Sequence, residues 1–406
     1  MRSLLRRLKP SALPVAIGGS ILLICWFYLI WNTTIGEAIP ALRFRTKDTI
    51  AGIVGEAAPT MTLESVLKGS YQESVSRGIG VLSPMFKPAL NWKGQFYYSL
   101  LGMSPTDVVD EGPDKQLVQS GYIDEYCSRN IAPLVPKAED WAVRLRKLQD
   151  FFEARGQMFL YVITPSKPAR YPDVIPVGYP CPAPASDRAR KLEVYDRILA
   201  RHGVKFVDTI PAMKDAEARY GVRVFPRGGI HWNDLGSALG AQMVIEGINR
   251  ERGAPLLSPL NFTVGISYDP QGTDRDLLDL MNLRFSDQHY PVPRLTYYPV
   301  PLAGGCRTIT IGQVGGSFLW KLNDALDEIS CPPKITHWFY WDRMRRDYPG
   351  GSAKGPPIDA EARRRSLLDA DLVMLEENEA AGPVSGHGKE MMEAISKLGT
   401  GLEAAQ

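Results

Sequence analysis

The stretch that decides the fold is residues 309–320, which read Ile309-Thr310-Ile311-Gly312-Gln313-Val314-Gly315-Gly316-Ser317-Phe318-Leu319-Trp320. It begins as an apolar, β-branched run, bends at two glycines and then enters a stretch with helical spacing. This order predicts a strand that turns sharply into a helix, with Ser317 at the carboxyl end of a sheet beside the N–H groups of the helix. A serine in such a turn can act as a nucleophile if a base lies within reach. The alternative is a serine that only caps the helix.

A single histidine lies in a second glycine-rich stretch, which reads Pro226-Arg227-Gly228-Gly229-Ile230-His231-Trp232-Asn233-Asp234-Leu235-Gly236. A predicted helix over residues 235–250 follows directly. Loops of this kind carry function more often than packing, so His231 is the candidate base for Ser317. The alternative is a histidine that fills a polar niche beside Trp232. Together, the serine turn and the histidine loop favour a hydrolase-type site.

Hydrophobic periodicity predicts strands that alternate with helices. The predicted strands are residues 158–164, 204–207, 309–314, 335–341 and 370–375, and the predicted helices are residues 137–155, 185–202, 210–220, 235–250, 274–283 and 320–329. Apart from the short acidic helix at 274–283, residues 261–300 have little periodicity. The alternation predicts an α/β fold in three layers, a parallel sheet with helices on both faces.

The amino terminus has the pattern of a membrane anchor. Four basic residues precede an uncharged run whose apolar core, residues 15–31, is near the lower length for a helix that spans a bilayer. The basic flank predicts that residues 1–12 lie in the cytoplasm, that residues 13–32 cross the bacterial inner membrane once and that the remainder is periplasmic. Aromatic residues crowd the outer half of the run, which favours an anchor over the alternative, a cleaved signal peptide.

The chain after the predicted anchor is divided into two parts. Residues 33–110 are interpreted as a membrane-proximal linker with lead-in helices, and residues 111–400 as the main domain. The 406 residues are 44% hydrophobic and 23% charged, with a net charge of +2 and no basic stripe, so no nucleic-acid partner is expected. The cysteines show no Cys-x-x-Cys spacing, and neither a metal nor a cofactor is predicted.

Four cysteines of the predicted exported part can form disulfides. Cys306 and Cys331 each precede a strand of one strand–helix–strand unit. Because adjacent parallel strands begin side by side, we predict a Cys306–Cys331 bond. That pairing leaves Cys127 to bond with Cys181.

Three strings in the amino-terminal part carry a resemblance to a known family. They read Ser70-Tyr71-Gln72-Glu73, Phe96-Tyr97-Tyr98-Ser99-Leu100-Leu101-Gly102-Met103-Ser104-Pro105 and Ser120-Gly121-Tyr122-Ile123-Asp124-Glu125-Tyr126. They resemble the signature of the periplasmic alginate O-acetylation proteins, the AlgJ and AlgX type of the SGNH-hydrolase-like superfamily. The resemblance extends from about residue 70 to about residue 379. Residues 112–117 depart from the family's Gly-Lys-Asp-Gly-x-Leu turn.

The resemblance implies roles for residues on the predicted turns. Ser317 matches the nucleophile and His231 the base, and the order of histidine before serine is that of the alginate type. The backbone N–H groups of Gly316 and Ser317 are candidate oxyanion donors. The side chain of Asn378 is another candidate, with a plain turn role as the alternative.

The chain departs from the family at the acidic member of the triad. The alginate type has an aspartate two residues before the histidine, and this chain has Gly229 there. Asp208 and Asp234 are the nearest acids in sequence, although Asp234 can equally cap the helix that follows. Otherwise a backbone carbonyl orients His231 in a dyad, or activity has been lost.

Four further residues lie at the ends of predicted strands or directly after them. Tyr340 and Arg343 are candidate contacts to a sugar chain, by ring stacking and by pairing with a uronate carboxylate. Trp341 between them fits a core position equally well. Lys167, after the strand at 158–164, is interpreted as a solvated lysine, and the alternative is a side chain that faces the pocket.

The resemblance, taken with these residues, implies one of two functions. The first is a membrane-anchored O-acetyltransferase or acetylesterase that acts on an exported polysaccharide, with the acetyl group supplied by a donor or by a membrane-bound O-acyltransferase partner. The second is a scaffold or polysaccharide-binding subunit of an acetylation and export complex that has lost its triad. Gly229 favours the second function, whereas Ser317 and His231 favour the first.

Overall fold

The computed structural model describes a defined part of the chain. The described residues are 23, 27, 30–35, 38–39, 62–69, 71, 86–285, 289–302, 304–305, 307–355, 358–383 and 385–397. Within them, no helix is both long enough and apolar enough to cross a membrane. Most of residues 13–32 lies outside the described residues, so the predicted span stays a prediction.

The described residues form two compact units. The first comprises those within Met1–Asp107 and Leu278–Ser286, and the second those within Val108–Leu277 and Asp287–Gln406. The first unit includes a short π-helix, Trp31–Ile35, and the α-helices α1 (Leu63–Leu67) and α2 (Phe86–Leu101). Here the backbone N–H of Phe285 donates to Gln95 of α2 at 2.7 Å, which joins the later segment to the earlier one.

The elements after residue 107 alternate between strands and helices. In chain order they are β1 (Val109–Glu111), β2 (Leu117–Gln119), α3 (Ser120–Cys127), α4 (Ile131–Glu153), β3 (Met158–Thr164), α5 (Lys167–Arg170), α6 (Ala185–Arg201), β4 (Phe206–Asp208), α7 (Ala216–Tyr220), α8 (Asp234–Arg252), β5 (Leu260–Ser267), α9 (Asp276–Leu280), β6 (Val292–Pro299), β7 (Thr310–Gly315), α10 (Phe318–Leu326), β8 (Lys334–Phe339), β9 (Met344–Tyr348), β10 (Ser352–Lys354), α11 (Ala360–Leu368), β11 (Leu372–Asn378) and α12 (Gly386–Ser396).

The central sheet has the strand order β10-β9-β8-β7-β11-β3-β4. The strands from β8 to β4 run parallel to one another, whereas β9 and β10 are antiparallel additions at one edge. Two antiparallel pairs, β1 with β2 and β5 with β6, lie outside this sheet. The predicted α/β fold with a mainly parallel sheet is confirmed.

The sheet separates two apolar cores, as the alternation of side chains along its strands requires. Leu160 and Val162 of β3 join the core that contains α8 and α10. Phe159, Tyr161 and Ile163 join the core that contains α4, α6, α11 and α12. The described part of the chain therefore has the predicted three layers.

Several predicted elements need correction. The helix predicted at 210–220 is a 3₁₀ turn, Pro211–Met213, followed by α7, and the helix predicted at 274–283 is the short α9 preceded by a 3₁₀ turn, Gly272–Asp274. The hairpin of β5 and β6 was not predicted, because its strands mix polar and apolar residues and are joined by a long connection.

One of the two predicted disulfides is observed. Cys127 at the end of α3 is bonded to Cys181, so this pairing is confirmed. Cys331 is buried, but Cys306 lies outside the described residues, and the Cys306–Cys331 pairing stays a prediction.

Candidate active site

Ser317 lies at the carboxyl edge of the sheet, between β7 and α10. It is the residue before the first turn of α10, yet its side chain makes no capping hydrogen bond. Its Oγ instead lies 2.6 Å from Nε2 of His231. The capping alternative is therefore wrong, and the hydroxyl is available to a base.

The histidine loop is fixed against the serine turn by the residue next to the histidine. Trp232 is fully buried and donates its Nε1–H to the carbonyl of Phe318, the residue after Ser317, at 3.1 Å. The ring of His231 packs on the ring of Phe318, with 5.1 Å between centroids. Asn233 caps α8 through Gly236 N–H. These contacts hold the imidazole beside the serine rather than in a separate polar niche.

The far nitrogen of His231 contacts Asp276, the first residue of α9. Nδ1 lies 2.5 Å from Oδ2 of Asp276, and the backbone N–H groups of Ile230 and Leu277 each donate to Oδ1 at 2.8 Å. A carboxylate can only accept hydrogen bonds, so Nδ1 carries the proton and Nε2 is left to accept from Ser317. The His231 and Asp276 side chains are 15% and 25% exposed, so solvent and substrate can reach the group.

Asp208 and Asp234, the two candidates for the orienting acid, are wrong for that position. Asp208 at the end of β4 accepts from Ile210 N–H at 2.9 Å. Burial, and after it the neighbouring Asp196 carboxyl, raises the pKa of Asp208 to about 8. Asp234 instead forms an ion pair with Lys321, and its Oδ2 lies 3.7 Å from Nη1 of Arg294. The prediction considered only acids near His231 in the sequence, and Asp276 is 45 residues away from it.

The structure also gives a reason for glycine at position 229. A Cβ at Gly229 would lie 2.3 Å from the carbonyl oxygen of Thr273 and 2.7 Å from Pro226 Cγ. The loop is thus pressed against the turn that leads into Asp276. The space that an aspartate at 229 would need is filled by the segment that carries the observed carboxylate.

Two of the predicted oxyanion donors point elsewhere. Gly316 N–H donates to Oε2 of Glu376 at 2.7 Å. Asn378 donates its amide to the Pro165 carbonyl at 2.6 Å and accepts from Ala380 N–H, so it has the turn role. Among the described residues no acceptor is found for Ser317 N–H. That group remains the backbone donor at the nucleophile.

The buried carboxyl group of Glu376 is hydrogen-bonded to the turn that carries Ser317. Glu376 of β11 is 1% exposed and accepts from Thr164 Oγ1 at 2.5 Å as well as from Gly316 N–H. Burial raises its pKa, and these hydrogen bonds only partly oppose the rise. Tyr122, from the third family string, lies near Glu376 and Tyr340, and burial followed by these neighbours raises its pKa as well. No pattern in the sequence predicts a role in the site for Glu376 or for Tyr122.

Tyr340 and Arg343 both lie at the site. Tyr340 follows β8 with a backbone φ of 42°, in the left-handed region that non-glycine residues rarely adopt. Burial raises the pKa of its hydroxyl, and the hydrogen bond with Ser317 opposes that rise. The Arg343 guanidinium lies 5.4 Å from the Tyr340 ring centroid. Trp341 is buried, with Arg363 stacked on it at 4.1 Å, and so has the core position.

Lys167 is not the solvated lysine that the sequence suggested. Its side chain is buried, and its Nζ donates to backbone carbonyls of the histidine loop. In the described part of the chain, no cluster of His, Cys, Asp and Glu side chains is arranged to hold a metal ion.

Comparison with known proteins agrees with the resemblance found in the sequence. Residues 130–300 match the family model described as the SGNH hydrolase-like domain of acetyltransferase AlgX. The matched region contains His231 and Asp276 and ends before Ser317. The predicted resemblance to the AlgJ and AlgX type is confirmed. No curated protein matches the chain in sequence.

Solved structures with similar folds include two from Pseudomonas and one from Bacillus. The O-acetyltransferase domain of Pseudomonas putida AlgJ is 18% identical, with a TM-score of 0.46, and the match covers 71% of this chain and 99% of that one. Pseudomonas aeruginosa AlgX is 14% identical, with a TM-score of 0.48 and coverages of 79% and 73%. Bacillus cereus PatB1 is 11% identical, with a TM-score of 0.41 and coverages of 68% and 97%.

Proposed function

We propose that this protein is a membrane-anchored periplasmic O-acetyltransferase, or acetylesterase, that acts on an exported polysaccharide through Ser317, His231 and Asp276. The observation that carries the proposal is the unbroken chain of contacts from Ser317 Oγ through the His231 ring to the Asp276 carboxylate. A serine is a weak nucleophile until a correctly oriented base accepts its proton. Both requirements are met by this geometry.

In the first half of the reaction, Ser317 Oγ attacks the acetyl carbonyl carbon of the donor while Nε2 of His231 takes the hydroxyl proton. The carbonyl electron pair moves onto oxygen and gives a tetrahedral intermediate. When that pair returns, the bond to the leaving group breaks, and His231 delivers the proton to the leaving oxygen. The acetyl group is then an ester on Ser317.

In the second half, a hydroxyl of the polysaccharide attacks the acetyl ester on Ser317. His231 takes the proton of that hydroxyl and returns it to Ser317 Oγ as the ester bond breaks. The product is an acetylated sugar and free enzyme. Water in place of the sugar hydroxyl gives hydrolysis, so transferase and esterase activity share each chemical step.

The negative charge on the intermediate needs donors that are already in place. Ser317 N–H has no acceptor among the described residues and is one such donor. The Tyr340 hydroxyl, which contacts Ser317, is the second. Arg343 beside Tyr340 supplies a cation at the edge of the site, suited to an acidic sugar such as a uronate.

The anchor and the compartment are part of the proposal. The basic flank and the uncharged run at 13–32 support one span with the main domain in the periplasm. The acetyl group would then come from a donor or from a membrane-bound O-acyltransferase partner. A reporter that is active only in the cytoplasm should be silent when fused after Ser70, and a signal from that fusion would contradict the topology.

The proposed activity is tested by acetyl release from 4-nitrophenyl acetate and by acetyl transfer to a uronate oligosaccharide, each with the purified full-length protein. We expect turnover by the wild type and a loss of about 10⁴-fold or more in kcat for Ser317→Ala and for His231→Ala. Ser186→Ala, a substitution in the exposed start of α6, is the matched control and should keep wild-type turnover.

The scaffold function is the other outcome of this experiment. It drew support from Gly229, and Asp276 now stands where the missing carboxylate was expected. Wild-type protein that binds the oligosaccharide but neither turns over the ester nor reacts with phenylmethylsulfonyl fluoride at Ser317 would contradict the enzyme proposal.

A further inference from the structure

Lys167 is one of the most deeply buried charged side chains in the described part of the chain. It follows β3 at the carboxyl edge of the sheet and is 2% exposed. Its Nζ lies 2.7 Å from the carbonyl oxygens of Leu117 and Pro226, 3.1 Å from that of Arg227 and 3.2 Å from that of Gly229. Three of these four acceptors belong to the short loop that leads into the histidine.

The geometry suits an ammonium group at this point. Four carbonyl oxygens converge on one atom, and an ammonium group offers three N–H donors and no acceptor, so every partner is complementary. An apolar side chain in the same space would leave these buried carbonyls without donors, which would destabilise the observed path of the loop. A loop rich in glycine has few side chains of its own to fix its path.

These four contacts of Lys167, here called the lysine clamp, also connect the segments that form the site. Leu117 N–H donates to the Arg227 carbonyl at 2.9 Å, so β2 is tied to the same loop that Lys167 holds. On the other side of the loop, Gly229 is pressed against the turn that precedes Asp276. Burial lowers the pKa of Lys167 to about 7, and the charge of Asp276 opposes that fall. The lysine and the orienting aspartate are therefore near enough to interact.

We propose that Lys167 is a positioning residue: its buried ammonium group holds residues 226–229 so that His231 meets both Ser317 and Asp276. This role rests on the proposed function, since it matters only if His231 is the base. Lys167 does not touch the reacting atoms and acts through the loop. A displacement of about 1 Å in a catalytic group can cost about 10²-fold in rate, so a loose loop should be visible in kcat.

The test compares two buried lysines in the full-length protein. Lys167→Met and Lys167→Ala remove the clamp, and Lys191→Met is the matched control. Lys191 is also buried, but it is bonded to Glu125 at 2.6 Å and to the Glu379 carbonyl at 2.7 Å, away from the histidine loop. For each folded variant, kcat and KM are measured with 4-nitrophenyl acetate, and the rate of Ser317 sulfonylation by phenylmethylsulfonyl fluoride is measured by intact mass.

We expect both Lys167 variants to lose about 10²-fold in kcat and in the rate of sulfonylation, with KM changed by less than about threefold. Lys191→Met should keep both rates within about threefold while losing thermal stability. Added ethylammonium should restore part of the activity of Lys167→Ala and none of that of Ser317→Ala.

Three results would overturn the role of Lys167. They are wild-type kcat in a folded Lys167→Met protein, equal losses in Lys191→Met and Lys167→Met, and a failure of both Lys167 variants to fold, which would assign the lysine to folding alone. Turnover in Ser317→Ala equal to the wild type would instead remove the proposed function, and this outcome is separate from the others.

Discussion

Asp276 and Asp208 show what separates an orienting carboxylate from a carboxyl group that merely lies at a strand end. Asp276 is surrounded by donors: the His231 ring and two backbone N–H groups. Asp208 accepts one backbone N–H and faces a second carboxyl, Asp196, and burial together with that neighbour raises its pKa. The residue type is the same, but only the first carboxylate is placed to accept from the Nδ1–H of a histidine base.

The largest expected effect is that of Asp276→Asn. It keeps the shape of the side chain, removes the charge and allows the wrong tautomer of His231, so kcat should fall by about 10⁴-fold, as in a serine protease that loses its triad aspartate. The measurement is kcat with 4-nitrophenyl acetate at neutral pH. Asp208→Asn is the matched control and should stay within about threefold of the wild type. If the two substitutions exchanged these effects, the assignment of Asp276 would be wrong.

A smaller effect is expected from Gly229→Ala. The added Cβ would lie 2.3 Å from the Thr273 carbonyl oxygen and must push away the turn that leads into Asp276. We expect kcat to fall by about 10- to 100-fold, with KM nearly constant, because a catalytic contact is displaced rather than removed.

Gly121→Ala is the control for that substitution, since a Cβ there would meet no atom within 4 Å. An active Gly229→Ala variant with the kinetics of the wild type would mean that the close approach of the two segments does not set the position of the aspartate.

The smallest effect concerns Asp208, and it is an effect on stability rather than on activity. The pKa of Asp208 is raised by burial from 3.8 to about 8, so between these values the folded protein holds a proton that the unfolded chain releases. The folded state binds more protons in this window, and the stabilisation is lost as the pH rises through the folded pKa. The free energy of unfolding should therefore fall from pH 4 towards pH 8 less steeply in Asp208→Asn than in the wild type.

Urea unfolding at several pH values measures this difference in the free energy of unfolding, which we expect to be greatest at the alkaline end of the range. Parallel curves for the two proteins would show that the Asp208 carboxyl does not hold a proton in the folded state.

The sequence alone predicts those parts of the site whose position depends on local chain geometry. The apolar run, the two glycines and the helical spacing around Ser317 fix a strand, a turn and a helix in succession, and the structure has β7, the turn and α10 in that order. His231 was identified in the same way, from a glycine-rich loop before α8. These are short-range patterns that periodicity and turn chemistry can predict.

The remainder depends on contacts between distant segments. Asp276 meets His231 only because the turn before α9 packs against Gly229, and no pattern within either segment encodes that contact. The same reason applies to Gly316, whose N–H is taken by Glu376 of the neighbouring strand β11. Lys167 looked like a loop lysine because its carbonyl partners belong to residues 117 and 226–229, far along the chain.

The most direct test of the account is the tautomer of His231, read from two-bond nitrogen–proton spectra of the full-length protein labelled with ¹⁵N-histidine and assigned with His231→Gln. In the wild type and in Asp208→Asn, we predict neutral His231 with its proton on Nδ1 and an accepting Nε2. In Asp276→Asn this fixed tautomer should be lost. A wild-type spectrum for His231 in Asp276→Asn, or its loss in Asp208→Asn, would contradict the account.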